Sequence, residues 1–553
     1  MISRWYFWLV VPVLLFMGMF YFYPLISIFF LSFMPEGSLD ASRVYKLVNN
    51  SYYAGVFWFT TWQAALSTLL TLIVALPSAY VFARYAFKGK ALIQNLTTIP
   101  FVLPTVVTAA GFQALLGPRG LVNNGLMHLF QLERPVIDID QTVWFFLLAH
   151  VFYNYTVVLR IVSGFWSRLP ENLTDSAQLL GASRCQVFMT ITLPLLLPSI
   201  LAAALLVFVF CFTSFGVVLI LGGPRYATVE VEIYRQALHL FNLPMASALA
   251  LIQIGFTFGL MAIYTRLEKK VSISMMLQGK HGDGRSAQKK QKCFWVTVTV
   301  LWMALLLGAP LFALFLQSII TEDGLGLLYY RGLLENRTDS ILYVAPITAI
   351  ANSLLFALVA TLIALTLGWL SAAFLARSKG KASTMLDPVL MLPLSTSAIT
   401  LGFGFVIALD EPPLNLRSSL LLPAIAHAMV AFPFVIRSIL PALRSIPQNL
   451  REAAAILGAS PFRVWTTIEW PILRRALLVG AVFAFAISMG EFGATVFVVR
   501  PQTPTMPLAI YRYLTHPGAL NYGQAMAMST VLMVTTAAGF LFLEKIKPRR
   551  GRC

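Results

Sequence analysis

Twelve runs of mostly apolar residues, bounded by charge, proline or glycine, constrain this chain more than any other feature. They lie at residues 5–33, 57–83, 97–116, 142–162, 198–221, 246–265, 294–318, 350–376, 388–409, 419–440, 472–499 and 524–543. A bilayer core takes about 20 helical residues to cross, and backbone groups in hydrocarbon must be satisfied within the span, which restricts the choice to helices or closed barrels. Runs of this length fit helices. Only 11% of the residues are charged and the mean hydropathy is +0.78, against about one quarter charged in soluble domains. The expected fold class is therefore an all-α polytopic membrane protein. Its first run is too long for a cleaved signal, lacks a small-x-small cleavage site and is followed by more spans. Pro12 and Pro24 inside it predict kinks.

Lys and Arg number 40 against 22 Asp and Glu, for a net charge of +18. A nucleic-acid binder would carry such a balance on one face of a soluble body, which the low total charge excludes. Loops of a membrane protein sort their basic residues by side instead. With the N-terminus inside, 29 of the 40 Lys and Arg fall on the inner side and 11 on the outer. Inner clusters are Arg84/Lys88/Lys90, Arg266/Lys269/Lys270, Lys289/Lys290/Lys292, Arg377/Lys379/Lys381 and Lys545/Lys547/Arg549/Arg550/Arg552. The expectation is a plasma-membrane protein of a prokaryote, multi-pass, with both termini cytoplasmic. Cys185, Cys211, Cys293 and Cys553 show no C-x-x-C spacing and no His partners, so neither a disulfide framework nor a metal site is expected.

The two halves of the chain repeat each other. Leu169-Pro-Glu-Asn-Leu, Asp175, Ala177, Leu180-Gly-Ala-Ser183 and Pro194 recur as Ile446-Pro-Gln-Asn-Leu, Glu452, Ala454, Leu457-Gly-Ala-Ser460 and Pro471. The shift is 458 − 181 = 277 for the glycine and 471 − 194 = 277 for the proline. The same offset pairs His150 with His427, Arg160 with Arg437, Phe215-Gly216 with Phe492-Gly493, Pro224 with Pro501, and Ile233-Tyr-Arg235 with Ile510-Tyr-Arg512. Upstream, Ala83-Arg84 and Pro100 match Ala376-Arg377 and Pro393 at 293, so the first half holds about 16 extra residues in its outer loop around 117–141. Six spans per half is even, which predicts two parallel repeats about an axis along the membrane normal, with a pathway between them. The expected divisions are 1–56 (first helix and outer loop), 57–266 (first repeat domain), 267–293 (basic cytoplasmic linker with little fixed structure), 294–349 (seventh helix and outer loop), 350–545 (second repeat domain) and 546–553 (basic tail).

Both copies of the repeated inner loop read as a short helix, a glycine break and a second helix. Gly181 and Gly458 supply the left-handed turn that closes a helix, and Ser183 and Ser460 can cap the next one. In the first loop, 171–180 is followed by 185–193 before Pro194; in the second, 449–457 is followed by 462–470 before Pro471.

The spacing acidic-x-Ala-x-x-x-Gly followed by proline, as Asp175-Ser176-Ala177 with Gly181 and Glu452-Ala453-Ala454 with Gly458, resembles the signature loop of type I ABC importer permeases. Asp175 and Ser176 depart mildly from the usual Glu-Ala-Ala. The resemblance covers about 57–266 and 350–545, and each half then resembles an ABC transmembrane type-1 domain. It implies that these loops are coupling helices fitting a groove on a separate ATP-binding subunit, two copies per complex, with an extracytoplasmic binding protein delivering substrate. This chain has no P-loop of its own. Gly89-Lys90, Gly279-Lys280 and Gly380-Lys381 are followed by Ala, His and Ala, where the motif needs Ser or Thr to hold magnesium. It is thus read as a non-enzyme that binds no cofactor, with ATP and Mg on the partner ATPase.

A fused, duplicated chain resembles the iron(III) and thiamine permeases. Thr213-Ser-Phe-Gly-Val-Val, Gly222-Gly-Pro, Thr228-Val-Glu-Val-Glu-Ile-Tyr-Arg-Gln-Ala-Leu238 and Ser488-Met-Gly-Glu491-Phe-Gly-Ala-Thr look like the thiamine pattern, which ranks thiamine first and iron(III) second. The alternative class is a twelve-helix secondary transporter, which would need coupling carboxylates or histidines near the midplane. Candidate pathway residues are the intramembrane polar ones. Glu491, with Ser214 as its counterpart, lines a cation path or is a carboxyl bonded to a neighbouring helix. His150 and His427 are read as bonds between helices before substrate contacts, and Tyr153, Asn154 and Tyr155 as packing before a cation surface.

Overall fold

The computed structural model describes residues 2–34, 45, 47, 49–277, 289–335, 342, 344–378, 381–410, 412 and 414–546. The middle of the expected linker, Lys379, and the basic tail from Lys547 onward lie outside the described residues. Ten helices are long and apolar enough to cross a membrane: Trp8–Phe33, Ser51–Arg84, Val143–Trp166, Arg184–Phe212, Leu243–Leu267, Cys293–Gln317, Pro346–Arg377, Leu421–Arg444, Phe462–Gly490 and Ala519–Phe542. Two further apolar stretches are bent helix pairs, Lys90–Val102 with Thr105–Phe130 at 100° and Ser383–Ser395 with Ala398–Ala408 at 94°; with each pair counted as one span the total is twelve. Together they account for the twelve apolar runs as an all-α, two-repeat polytopic bundle.

Four expectations need correction. The third and ninth runs are not straight. Leu103, preceding Pro104, sits at ψ 142, as a residue clashing with a following proline ring must; Ser397 leaves the helical region at ψ 141 and caps Ile399 N–H at 3.1 Å. The fifth and eleventh runs lose their helix at Phe212 and Gly490, well before their apolar ends, because the breaks that follow are themselves apolar and leave no mark in hydropathy. Pro194 and Pro471 do not separate loop from span, since Arg184–Phe212 and Phe462–Gly490 run on from the loops as single long helices. Finally, residues 267–277 continue the Leu243–Leu277 helix and 289–293 open the Lys289–Met303 helix. No Gly or Pro interrupts 267–277, so nothing there opposes helix.

How the prolines are absorbed is uniform. Each of four π turns, Gly18–Phe22, Phe188–Thr192, Ala304–Gly308 and Trp465–Glu469, is followed by one residue and then a proline: Pro24, Pro194, Pro310 and Pro471. In the turns of the two repeated loops Leu193 N–H reaches Phe188 O and Trp470 N–H reaches Trp465 O. The wider turn falls where the proline's missing N–H would break the α ladder.

Pro24 and Pro310 also reveal that the repeat includes the first and seventh helices, at 310 − 24 = 286. Each of these two helices reaches the other half while also packing on its own. Ile2–Met17 packs on Pro346–Arg377 and Tyr23–Phe33 on Ala398–Ala408, while Ala309–Gln317 packs on Thr105–Leu116. Gly404 and Gly111, equivalent at offset 293, are the contact points: a Cβ there would lie 3.0 Å from Pro24 Cβ and 3.1 Å from Pro310 O. Tyr21 Oη and Thr396 Oγ1 share a 2.6 Å hydrogen bond across the same contact. Within each half the core is Ser51–Arg84 against Val143–Trp166, and Pro346–Arg377 against Leu421–Arg444.

Candidate functional site

The helix breaks and the bends meet where the halves face each other. A Cβ on Gly490 would lie 3.0 Å from Pro104 Cγ, and one on Gly216 3.1 Å from Phe492 Cδ1. Phe215 and Phe492, equivalent residues just after the two breaks, stack with centroids 5.3 Å apart and planes 24° apart. Each ring also meets a tyrosine of its own half at 5.4 Å, Phe215 with Tyr234 and Phe492 with Tyr511, and the two tyrosines are hydrogen-bonded to each other. Four aromatic side chains thus close the centre in a two-fold arrangement. The sequence held the signal, since both pairs keep the 277 offset, but periodicity alone gave them no role.

Histidines hold the breaks open on both sides. His150 shares hydrogen bonds with Ser67 Oγ and Ser214 Oγ, both 2.9 Å; His427 shares them with Ser488 Oγ at 2.7 Å and Thr495 Oγ1 at 2.9 Å. Both are buried. Each imidazole therefore ties an intact helix to a neighbour that has lost its helical ladder, the helix-to-helix role expected from their repetition. Thr60 Oγ1 accepts from Val229 N–H at 3.0 Å and Ser353 Oγ from Met506 N–H at 2.7 Å, another pair matched by the repeat.

Glu491 is turned onto its own chain. Its carboxylate accepts from Ala494 N–H and Thr495 N–H, both at 2.9 Å, and from Thr495 Oγ1 at 2.6 Å, with His427 Nε2 3.5 Å away. This is how a carboxylate caps the exposed N–H groups that open the short helix Thr495–Val498. Ser214 occupies the matching place, bonded to His150. Tyr153 packs on Phe101 at 5.5 Å, and Asn154 donates to His150 O and Cys211 Sγ; Tyr155 is buried.

At the C-terminal ends of the Val143–Trp166 and Leu421–Arg444 helices stand the two repeated loops. Glu171–Leu179 and Gln448–Ile456 form the first helices. Gly181 and Gly458 have φ +91° and +80°. Ala182 N–H reaches Ala177 O and Gly181 N–H reaches Gln178 O, both 3.0 Å, and Ala459 to Ala454 and Gly458 to Ala455 repeat this at 3.0 Å. This double bond pattern is a Schellman closure, and it explains the small residue at Ala177 and Ala454, which lie under the returning chain. Ser183 accepts from Gln186 N–H while the Gln186 side chain accepts from Ser183 N–H, a full capping box; Ser460 accepts from Arg463 N–H at 3.3 Å. Asp175, Ser176, Glu452 and Ala453 lie on the exposed face, as do Pro194 and Pro471. The sequence reading passed over the tips. Leu179 and Leu180 are 89% and 90% exposed, and Ile456 and Leu457 are 86% and 87% exposed.

The loops differ in how they are fastened. Glu469, buried, holds Arg377 Nη2 at 2.5 Å and Arg451 Nε at 2.9 Å, so that one carboxylate joins the second loop's helix, its π turn and the Pro346–Arg377 span. The corresponding positions of the first half are Arg84, Thr174 and Thr192, with no acidic residue at the centre. Compositional reading could not find this triad, since its members lie 92 and 18 residues apart.

At the opposite end, above the aromatic closure, opens a chamber of about 700 Å³. Tyr234, Tyr511, Tyr522, Gln113, Asp140 and Arg235 are among its lining residues. Among the described residues no group of three or more His, Cys, Asp or Glu side chains is placed to hold a metal ion.

Residues 75–273 and 364–552 each match the family described as binding-protein-dependent transport system inner membrane component. The chain is similar to the thiamine transport system permease protein of Brucella suis biovar 1 (strain 1330), 27% identical over 522 residues, covering 93% of this chain and 91% of that protein. The protein of the same name from Escherichia coli (strain K12) is 26% identical over 509 residues, covering 90% of each. A solved bacterial ABC transporter for import of the acidic polysaccharide alginate gives a TM-score of 0.39 at 18% identity, over 48% of this chain and 94% of that one.

Proposed function

Because the chain belongs to the family of binding-protein-dependent transport system inner membrane components, we propose that it is the fused permease of a thiamine importer, driven through its two inner loops by a separate ATPase. It is a multi-pass inner-membrane permease of the ABC importer type, built as two repeats of one domain. The observation that carries the coupling role is the pair of identical Schellman-closed loops with Leu179/Leu180 and Ile456/Leu457 standing in solvent. Large apolar side chains so exposed at the tips of ordered helices call for a partner surface, and two such tips related by the repeat call for two copies of it. ATP and Mg belong to that partner, and the chain itself binds no cofactor. Both termini and both loops are cytoplasmic by the distribution of basic residues. A secreted binding protein docks at the opposite end.

Thiamine is favoured over iron(III) by the names of the relatives that cover nine tenths of the chain. The pathway is closed in this state by Phe215, Phe492, Tyr234 and Tyr511. His150, His427, Ser214 and Glu491 shape the breaks that carry these rings, and Glu491 acts as a cap. The test is reconstitution of the permease with its ATPase and binding protein in proteoliposomes, with ATP-dependent uptake of thiamine and of iron(III) measured side by side. Uptake of iron(III) alone would reverse the ranking, and uptake by permease alone on an ion gradient would restore the secondary-transporter class.

A further inference from the structure

The outer loop that only the first half carries in full length is built as part of the chamber wall. Asn123 is fully buried and donates to Gly117 O at 3.0 Å and Ile137 O at 2.9 Å, while its Oδ1 accepts from Ile137 N–H at 2.8 Å. The seventh helix adds a bond from Gln317 Nε2 to Arg119 O at 3.0 Å. Gln141, next to Asp140, takes φ +52° and packs against Gly223, where a Cβ would lie 2.8 Å from its Oε1. A loop tied at both ends and at its tip holds Asp140 in a fixed place.

The chamber floor is the tyrosine pair, Tyr234 and Tyr511, and Tyr522 stands in its side. Besides the tyrosines, its titratable lining side chains are Asp140, Arg235 and His239. Arg235 has its counter-ion behind it, Glu232 at 3.5 Å, and donates to Pro224 O. Asp140 accepts from the neutral Gln113 amide at 2.8 Å and has no cationic partner among the described residues. Under the 277 offset its counterpart is Arg417, which pairs with Asp410 and is not in the lining. The chamber thus presents aromatic side chains from both halves and, from the longer loop, one carboxylate with no cationic partner among the described residues.

We propose that this chamber is a receiving site for an aromatic cation, with the tyrosine rings taking its flat face and Asp140 its charge. Rings bearing a positive charge are held by aromatic faces, and a volume of about 700 Å³ lies in the usual range for small-molecule sites, roughly 300–1,000 Å³. The inference deepens the thiamine reading, since a thiazolium joined to a pyrimidine is such a cation, and it assigns the substrate's passage through the permease to a site apart from the binding protein.

The experiment is calorimetric titration of the purified permease–ATPase complex, without binding protein, with thiamine and separately with N-methylquinolinium, a quaternary aromatic cation. Both are expected to bind, at least tenfold more weakly to Asp140→Asn and to Tyr511→Leu. Asp140→Glu is expected to retain binding, and Asp138→Asn on the same loop to bind as wild type. Binding of quinolinium with this dependence but not of thiamine would sink the thiamine reading and leave the site standing. Binding that ignores Asp140, or none by either probe at millimolar concentration, overturns the site.

Discussion

Phe215 and Phe492 are 277 residues apart in the chain and lie face to face at 5.3 Å. A residue that stacks on its own repeat equivalent sits on the axis relating the two halves, so any path along that axis must part these rings. Removing both, as Phe215→Ala with Phe492→Ala, takes away the central contact and leaves only the tyrosine pair. We expect the double variant to let thiamine cross proteoliposome membranes in the absence of ATP at a rate at least tenfold above wild type. A tight double variant would place the closure elsewhere.

Gly458 and Gly181 have open space around a built Cβ, so substitution there is resisted by the backbone alone. Their φ values of +80° and +91° cost most residues about 1 kcal/mol or more, β-branched ones most of all, whereas Asn tolerates them. Gly458→Val is expected to insert normally, to co-purify poorly with the ATPase, and to lose most substrate-stimulated hydrolysis; Gly181→Val should act likewise. Gly458→Asn should keep the complex. Equal co-purification of the Val and Asn variants would remove these loops from the coupling role.

Glu469→Gln leaves Arg377 and Arg451 facing a neutral amide. Deleting one partner of a buried ion pair costs roughly 3 kcal/mol, felt where the second loop joins the membrane domain. The expected result is a complex that assembles and hydrolyses ATP but gains little stimulation from loaded binding protein. Thr192→Val, at the equivalent place in the first half, should keep its stimulation. If both variants behaved alike, the difference in fastening would carry no function.

Glu491 gives a prediction opposite to that of a cation-lining carboxylate. Glu491→Gln weakens the cap on Ala494 and Thr495 N–H by about 1–2 kcal/mol. Thermal unfolding should move down, and uptake should fall in step with the folded fraction while KM stays constant. A raised KM in a fully folded variant would return Glu491 to the pathway.

Orientation can be read from a native thiol. Cys185 is exposed on the first of the two repeated loops, so an impermeant maleimide should miss it in intact cells and label it in inverted vesicles. Cysteine at Gly518, at the opposite end, should show the reverse, and swapped labelling would invert the topology.

Hydropathy located the ten helices long and apolar enough to cross a membrane and both bent pairs, because length and apolarity are local properties. The Gly181 and Gly458 turns were legible for a similar reason, since a left-handed cap leaves a glycine at a fixed place after a helix. The bends at Leu103-Pro104 and Ser397, and the breaks at Ser214 and Glu491, were hidden because they interrupt helix without interrupting apolarity. Glu491 stayed open between a path-lining group and a carboxyl bonded to a neighbouring helix, since its partners are backbone N–H groups three and four residues on, which composition cannot register. Arg377, Arg451 and Glu469 show no local pattern in the sequence, because only folding brings them together.

The first and seventh helices have a consequence for the chain's continuity. Pro24 lies against Gly404 and Pro310 against Gly111, so each half is clasped by an arm of the other. A cut within 278–288 would separate the polypeptide but leave two pieces interlocked through these arms. Either piece made alone would leave Gly404 or Gly111 without the proline it packs against. The peptide joining the halves thus serves to deliver both arms in equal number and at the same moment, and the clasp does the holding.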